Sequence, residues 1–187
     1  MPHFGDNTPE SNALAQRLHD DLHAHTRDLV NACGGSYDMG YWCYREFMFW
    51  GERMKATPDG RRDGDYLAQS LNPSRLRPIE DITSTINSVA ALDLTKCSGD
   101  SVVNVLLPSG GATPRLLDQF ERAFAASKLQ LLQLNCVDKE ALLDARLHPE
   151  RHQDLVVRVC GFSAKFVSLP PEWQEEFITR NLHGKIA

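Results

Sequence analysis

The amino-acid sequence predicts an α/β fold, in which strands and helices alternate along the chain. Apolar runs at 102–107, 129–137 and 155–160 have the length and composition of buried strands. Helix-start signals lie between these runs, where a threonine or an aspartate precedes a proline or an amphipathic stretch. Alternation of this kind is typical of a sheet whose strands are joined by helices.

The first helix is predicted to run from Pro9 to about Cys33. Thr8 supplies a capping hydroxyl, Pro9 takes the first helical position, and leucines recur at four-residue spacing after it. A glycine pair then ends the helix. The aromatic-rich stretch at 37–50 has residue types common in strands, and we expect it to be extended.

The central region begins with a predicted turn. Residues 57–61, Thr-Pro-Asp-Gly-Arg, have turn chemistry, because proline presets φ and Asp-Gly supplies permissive positions. A polar loop is expected from there to about Pro78. Helix starts are predicted near Asp81, Thr113, Asp138 and Pro170.

The composition is that of an ordinary cytosolic protein. Lysine plus arginine number 20 against 25 aspartate plus glutamate, and the net charge of -5 without a basic block does not indicate a nucleic-acid partner. No early stretch combines a basic start with a long apolar run, so neither a signal peptide nor a membrane span is predicted. We therefore expect a cytoplasmic protein.

The cysteines are odd in number, scattered and without a C-x-x-C pair; they are Cys33, Cys43, Cys97, Cys136 and Cys160. This pattern argues against a disulfide framework, a structural zinc site and an iron–sulfur cluster held by this chain. His19 and His23 are four residues apart on the first predicted helix and could hold a metal. Their acidic neighbours favour a solvated helix face instead, so no metal is predicted.

Residues 156–166, Val-Val-Arg-Val-Cys-Gly-Phe-Ser-Ala-Lys-Phe, resemble the signature of glycyl radical enzymes. That family includes pyruvate formate-lyase and its dehydratase, decarboxylase and lyase relatives. The resemblance continues backward through 135–140 and 148–150 to 57–62, where the family's glycine-radical domain begins. Several separated motifs in the right order are far more specific than one short match.

Glycine suits a radical on a backbone α-carbon. Such a radical is stabilised when the carbon flattens between its amide nitrogen and its carbonyl, and a side chain would crowd that arrangement. The resemblance implies that Gly161 stores a glycyl radical. It also gives a set of supporting loop residues, Arg158, Val159, Cys160, Phe162 and Ser163. From the residues alone, the alternative is that Gly161 merely ends a strand.

The resemblance also implies partners. A separate radical S-adenosylmethionine activase with a [4Fe-4S] cluster would make the glycyl radical, which would then abstract hydrogen from a catalytic cysteine. In the family that cysteine lies far upstream in a large barrel, so we expect it on a large barrel subunit of a split, heteromeric enzyme. No cofactor is expected to stay bound. The chain is expected to be inactive alone. Because its organic radical would be oxygen-sensitive, the enzyme is expected to work under anaerobic conditions.

The cysteines of this chain are poor substitutes for that catalytic residue. Cys160 adjoins Gly161, but its side chain leaves the strand in the opposite direction from its neighbour's. Cys43, Cys97 and Cys136 are expected to be structural. Residues 162–166 look more like the eliminating enzymes than like pyruvate formate-lyase, which favours a lyase-type reaction: dehydration, decarboxylation or carbon–heteroatom cleavage.

The fold expected from the resemblance is a C-terminal fragment of the family's barrel, with the glycyl loop after a buried strand. Residues 1–56 are interpreted as a helix and an aromatic extended segment continuous with the barrel, and residues 57–187 as the glycine-radical domain. We expect the aromatic segment to form core or subunit interface. Two other functions stay open: a spare-part repair protein that replaces an oxygen-damaged glycyl domain, and a non-catalytic interaction protein.

Overall fold

The computed structural model describes residues 2–76, 82–159 and 161–180. Its helices are α1 (Pro9–Thr26), α2 (Glu46–Gly51), α3 (Ile82–Ala90), α4 (Pro114–Ala126), α5 (Lys139–Leu147) and α6 (Pro171–Thr179). Its strands are β1 (Val102–Leu107), β2 (Leu131–Cys136), β3 (Val156–Val159) and β4 (Phe162–Lys165). The α/β prediction is confirmed.

Helix α1 begins where the sequence predicts and ends earlier. The backbone N–H of Ser11 donates to Thr8 Oγ1 at 3.1 Å, and the N–H of Thr8 donates to Ser11 Oγ at 3.1 Å, which completes a capping box. The helix stops at Thr26 rather than near Cys33. Beyond it, Asn31 Oδ1 accepts the N–H of Cys33 at 2.9 Å, and this local turn competes with helical hydrogen bonding.

The aromatic stretch was predicted to be extended, and its second half is helical instead. Helix α2 buries Phe47 and Met48 against the core, and this tertiary contact outweighs the strand preference of its aromatic residues. The extended part includes Tyr41, which forms an isolated parallel bridge with Ser101.

The predicted turn at 57–61 is confirmed. The N–H of Thr57 donates to the carbonyl of Arg61 at 2.9 Å, and Gly60 adopts φ +104°. The Arg61 guanidinium is buried and donates to several backbone carbonyls, including that of Asp65 at 2.7 Å. A single arginine therefore organises this loop.

The remaining helix starts are mostly where the sequence predicts them. Thr113 Oγ1 caps α4 by accepting the N–H of Leu116 at 3.2 Å. Asp138 is the N-cap residue of α5, but its carboxylate instead accepts the N–H of Ser109 at 2.8 Å. The predicted cap Asp81 lies outside the described residues.

Strands β1 and β2 pair in parallel, with Val102 opposite Leu131 and Leu107 opposite Cys136. Helix α4 connects them as a crossover. All six residues of β1 are buried, because a hydrophobic cluster covers each face. Leu106 joins the cluster that contains α5 and α6, whereas Val103 and Val105 join the one that contains α3 and α4.

Helix α6 is fixed by a buried ion-pair cluster. The fully buried carboxylate of Glu176 accepts from Arg180 Nη2 at 2.7 Å and also from Arg75 Nη2. Burial raises the pKa of Glu176, but attraction to Arg180 and Arg75 outweighs it, so the pKa lies below its ordinary value. The cluster ties the loop that carries Arg75 to helix α6.

Candidate functional site

Gly161 lies in the loop of a β-hairpin. Strands β3 and β4 pair in antiparallel register, with Val159 directly opposite Phe162, so that only residues 160 and 161 connect them. Gly161 adopts φ +104°, a conformation that L side chains rarely adopt. The register makes 160–161 a two-residue hairpin loop, for which a glycine at positive φ is typical.

The space around Gly161 is open. A Cβ placed on it would meet no atom of the described structure within 4 Å, its two chain neighbours excepted, and the residue is exposed. Within the described structure, backbone conformation rather than crowding therefore requires glycine at this position. The same openness makes the α-carbon accessible to another molecule.

The hairpin is anchored to the parallel sheet by two side-chain amides of β2. Gln133 Oε1 accepts the N–H of Gly161 at 3.0 Å, and its Nε2 donates to the carbonyl of Arg158 at 3.1 Å. Asn135 Oδ1 accepts the N–H of Arg158 at 2.7 Å, and its Nδ2 donates to the same carbonyl at 3.1 Å. Both amides are buried, so each hydrogen bond satisfies a group that water does not readily reach.

The hairpin was predicted to follow a buried strand, and β3 is buried on one face only. Val157 and Val159 point into the core beside α6, whereas Val156 and Arg158 are exposed. The alternation arises because β3 lies on the surface of the core, with its outer face uncovered by any described residue. Strand β4 was not predicted.

The predicted supporting residues occupy different surroundings. The guanidinium of Arg158 donates to Ser163 Oγ at 3.2 Å on the exposed face. Val159 is buried, and Phe162 is 45% exposed with its ring centroid 6.0 Å from that of Tyr44. Cys160 lies outside the described residues.

The hairpin contacts the aromatic segment through Tyr44. The ring of Tyr44 also lies 5.2 Å from that of Trp173 on α6, so it bridges the hairpin and the helix. In the same segment, Trp42 and Trp50 are about half exposed, at 48% and 55%. The aromatic segment therefore supplies both core residues and exposed apolar side chains.

His19 was predicted to lie on a solvated helix face, and this prediction is wrong. Its side chain is buried, with Nε2 2.9 Å from the carbonyl of Asp93 and Nδ1 2.8 Å from the hydroxyl of Tyr41. Because a carbonyl only accepts, Nε2 donates, and in the neutral ring Nδ1 accepts the Tyr41 O–H. Burial raises the pKa of Tyr41 to about 12, which keeps that hydroxyl protonated.

Metal and membrane features were searched across the described ranges. In residues 2–76, 82–159 and 161–180, no group of three or more His, Cys, Asp or Glu side chains is arranged to hold a metal ion. Within the same residues, no helix has the length and apolar character needed to cross a membrane.

Sequence reasoning missed the role of Gln133 and did not single out the side chain of Asn135. The signal was present in β2, Leu-Leu-Gln-Leu-Asn-Cys, where polar residues two apart share one side of an apolar strand. Their burial indicates that this side faces other protein groups that need hydrogen bonds.

Comparison with known proteins shows a family match that includes the hairpin. Residues 67–167 match the family model described as "Glycine radical". The chain is 33% identical over 155 residues to the probable dehydratase YbiW of Escherichia coli, covering 80% of this chain and 19% of that protein. It is 27% identical to the trans-4-hydroxy-L-proline dehydratase of Clostridioides difficile, covering 96% of this chain and 23% of that one.

Among solved structures, the B12-independent glycerol dehydratase of Clostridium butyricum superposes with a TM-score of 0.86 and 31% identity. The match covers 97% of this chain and 24% of that enzyme. The chain thus spans about a quarter or less of the relatives it matches, and its fold is that of a C-terminal fragment of these enzymes. The family match covers more than half of the 187 residues and includes Gly161, and the chain therefore belongs to the glycine radical family of glycyl radical enzymes.

Proposed function

We propose that this chain is the radical-storing subunit of a glycyl radical enzyme, with the radical on Gly161. The observation that carries the proposal is the setting of this residue. Gly161 lies in the two-residue loop of an exposed hairpin, at positive φ and with open space beside its α-carbon. It also lies within the residues matched to the family.

The chemistry begins with one hydrogen atom. The activase would supply a 5′-deoxyadenosyl radical by one-electron cleavage of S-adenosylmethionine, with methionine as the other product. This radical would take an α-hydrogen from Gly161 and leave as 5′-deoxyadenosine. The unpaired electron stays on the α-carbon, where the amide nitrogen and the carbonyl delocalise it. An exposed hairpin loop suits this step, because the α-carbon must approach a reactive centre on another protein.

The next step moves the radical to sulfur. The glycyl radical takes the hydrogen of a cysteine thiol, which restores glycine and leaves a thiyl radical to attack substrate. Among the described residues, no sulfur lies within 4 Å of the Cβ position of Gly161. We therefore assign the thiyl cysteine to a large barrel subunit, which would also cover the exposed ring of Phe162 and shield the radical from oxygen.

The reaction proposed for the assembled enzyme is a lyase-type elimination. The curated relatives and the solved structure compared above are named dehydratases, for substrates that include glycerol and trans-4-hydroxy-L-proline. A dehydration removes a hydroxyl group and a hydrogen atom, which is within the reach of thiyl-initiated chemistry. The substrate is set by the barrel subunit.

Electron paramagnetic resonance tests the proposal directly. Anaerobic treatment with the activase and S-adenosylmethionine should give a doublet, split by the remaining α-hydrogen, that collapses in protein labelled with α-deuterated glycine. Gly161→Ala should abolish the signal. Gly60→Ala is a matched control, because Gly60 also has φ +104° and open space at its Cβ position.

The outcomes separate the alternatives. A normal signal in Gly161→Ala would place the radical on another residue and overturn the proposal. Substrate conversion that needs a barrel protein with no glycine motif of its own would support the split enzyme. Restoration of activity in an oxygen-cleaved but otherwise complete enzyme would identify a spare part instead.

A further inference from the structure

We propose that Gln133 is a positioning residue for the radical, holding the peptide group that delocalises the unpaired electron of Gly161. The inference rests on the proposed function, since it assigns a role toward a radical on that glycine. It concerns a buried side chain 28 positions upstream, which contacts the backbone of Gly161 directly.

The two hydrogen bonds of Gln133 fix the orientation of its amide. The N–H of Gly161 can only donate and the carbonyl of Arg158 can only accept, so one orientation of the Gln133 amide satisfies both. Since Gln133 is 5% exposed, water does not readily replace it. The Gly161 N–H is therefore held toward the parallel sheet.

The held N–H matters because a glycyl radical is stabilised by its own amide nitrogen. Donation from the nitrogen requires the remaining bonds of the α-carbon to turn into the plane of the amide, so φ of Gly161 must move from +104° toward 180° as the hydrogen leaves. An acceptor on the N–H also increases the electron density that the nitrogen can donate. Gln133 Oε1, 3.0 Å from the Gly161 nitrogen, supplies that acceptor and holds the N–H in place while the rotation about the N–Cα bond occurs.

Asn135 is the control position, because it anchors the hairpin without contacting the Gly161 N–H. It lies two residues along the same strand, is equally buried, and makes two hydrogen bonds to the hairpin. Both of these bonds go to the backbone of Arg158, and among the described residues Asn135 makes no hydrogen bond to Gly161. Loss of Asn135 should loosen strand β3, whereas loss of Gln133 should also release the radical residue.

Hydrogen exchange of the unactivated, ¹⁵N-labelled chain tests the contact without any radical. In Gln133→Met, which keeps the length and loses the acceptor, the Gly161 amide should exchange about tenfold faster, as expected for one lost buried hydrogen bond. In Asn135→Leu the Arg158 amide should show the larger change. Gln133→Glu, which keeps an acceptor oxygen, should restore the protection of Gly161. Unchanged Gly161 exchange in Gln133→Met would overturn the inference.

Electron paramagnetic resonance after activation tests the electronic role. In ¹⁵N-labelled protein, Gln133→Met should shift the nitrogen hyperfine coupling and shorten the anaerobic half-life of the signal severalfold, whereas Asn135→Leu should keep the wild-type coupling. A wild-type coupling and half-life in Gln133→Met would reduce Gln133 to a structural anchor and overturn the inference alone. A wild-type chain with no Gly161 signal would overturn the proposed function, and the inference with it.

Discussion

Strand β1 and the β3–β4 hairpin belong to one molecule but differ in what stabilises them. Every side chain of β1 is buried, and apolar contacts on both of its faces fix it in place. Of the described hairpin residues, Val157 and Val159 are the ones buried in the core, and the amides of Gln133 and Asn135 hold the edge of β3 that faces β2. Its outer face is exposed.

This difference suggests separate roles for the two regions: β1 supports the fold, and the β3–β4 hairpin presents Gly161. Apolar burial is non-directional and gives β1 stability, whereas hydrogen bonds from buried amides are directional and give the hairpin a defined orientation. Under the proposed function Gly161 meets an activase and a barrel subunit, and an exposed hairpin suits such contacts better than an enclosed strand does. Variants that act on one region and spare the other can test this division.

The largest effect is expected beneath the hairpin, at Glu176. Glu176→Gln removes the negative charge that lies between Arg75 and Arg180 and takes the carboxylate partner away from the buried Arg180 guanidinium, which should cost about 3–5 kcal/mol in the free energy of unfolding. Urea denaturation measures it. The neighbouring exposed pair gives the control, because Glu175→Gln should change stability by less than about 1 kcal/mol.

The same carboxylate predicts a pH dependence. Because the pKa of Glu176 is lower in the folded chain, its contribution is full above the unfolded-state value of about 4.3 and is lost as the pH falls through the folded value. The stability difference between wild type and Glu176→Gln should therefore shrink under acid conditions. A difference that grew as the pH fell would contradict the assignment.

A smaller effect compares one residue type in the two regions. Val105 in β1 is 0% exposed and Val156 in β3 is 55% exposed. Val105→Ala should lower the free energy of unfolding by roughly 1–3 kcal/mol, because it leaves a cavity. Val156→Ala should stay within about 0.5 kcal/mol. Equal losses in the free energy of unfolding would show that Val156 in the hairpin is as enclosed as Val105 in β1.

The smallest effect concerns backbone strain. Gly161→Ala and Gly60→Ala each place a side chain at φ +104° with no clash, so each should cost about 1–2 kcal/mol. Thermal unfolding of the two variants should give similar losses. A much larger loss for Gly161→Ala would mean that the hairpin loop contributes more to stability than its exposure indicates.

The predictable parts of this fold are those whose causes lie close together in the sequence. Thr8 and Thr113 cap helices through hydrogen bonds to residues three positions away, so their helix starts could be predicted. Helix α2 could not, because burial of Phe47 depends on distant contacts. The buried setting of His19 depends on Tyr41 and Asp93, 22 and 74 positions away.

The candidate site shows the same division. Its glycine could be identified from a local motif, and the test of its radical role is still to be made. Strand β4 was missed because residues 162–165 are strand only through pairing with β3. The contact between Gln133 and Gly161 joins residues 28 positions apart, and periodicity within one strand does not reveal such a partner.

The hairpin register has a consequence for a broken chain. A backbone cut beside Gly161 would divide the protein into two polypeptides, but four cross-strand residue pairs would still join β3 to β4. The shorter polypeptide would also keep Phe177 in the shared core and Glu176 paired with Arg75 of the longer one. The two fragments should therefore remain a noncovalent complex under native conditions and separate only on denaturation. Cleavage at this site would then break the chain beside Gly161 without dismantling the fold around it.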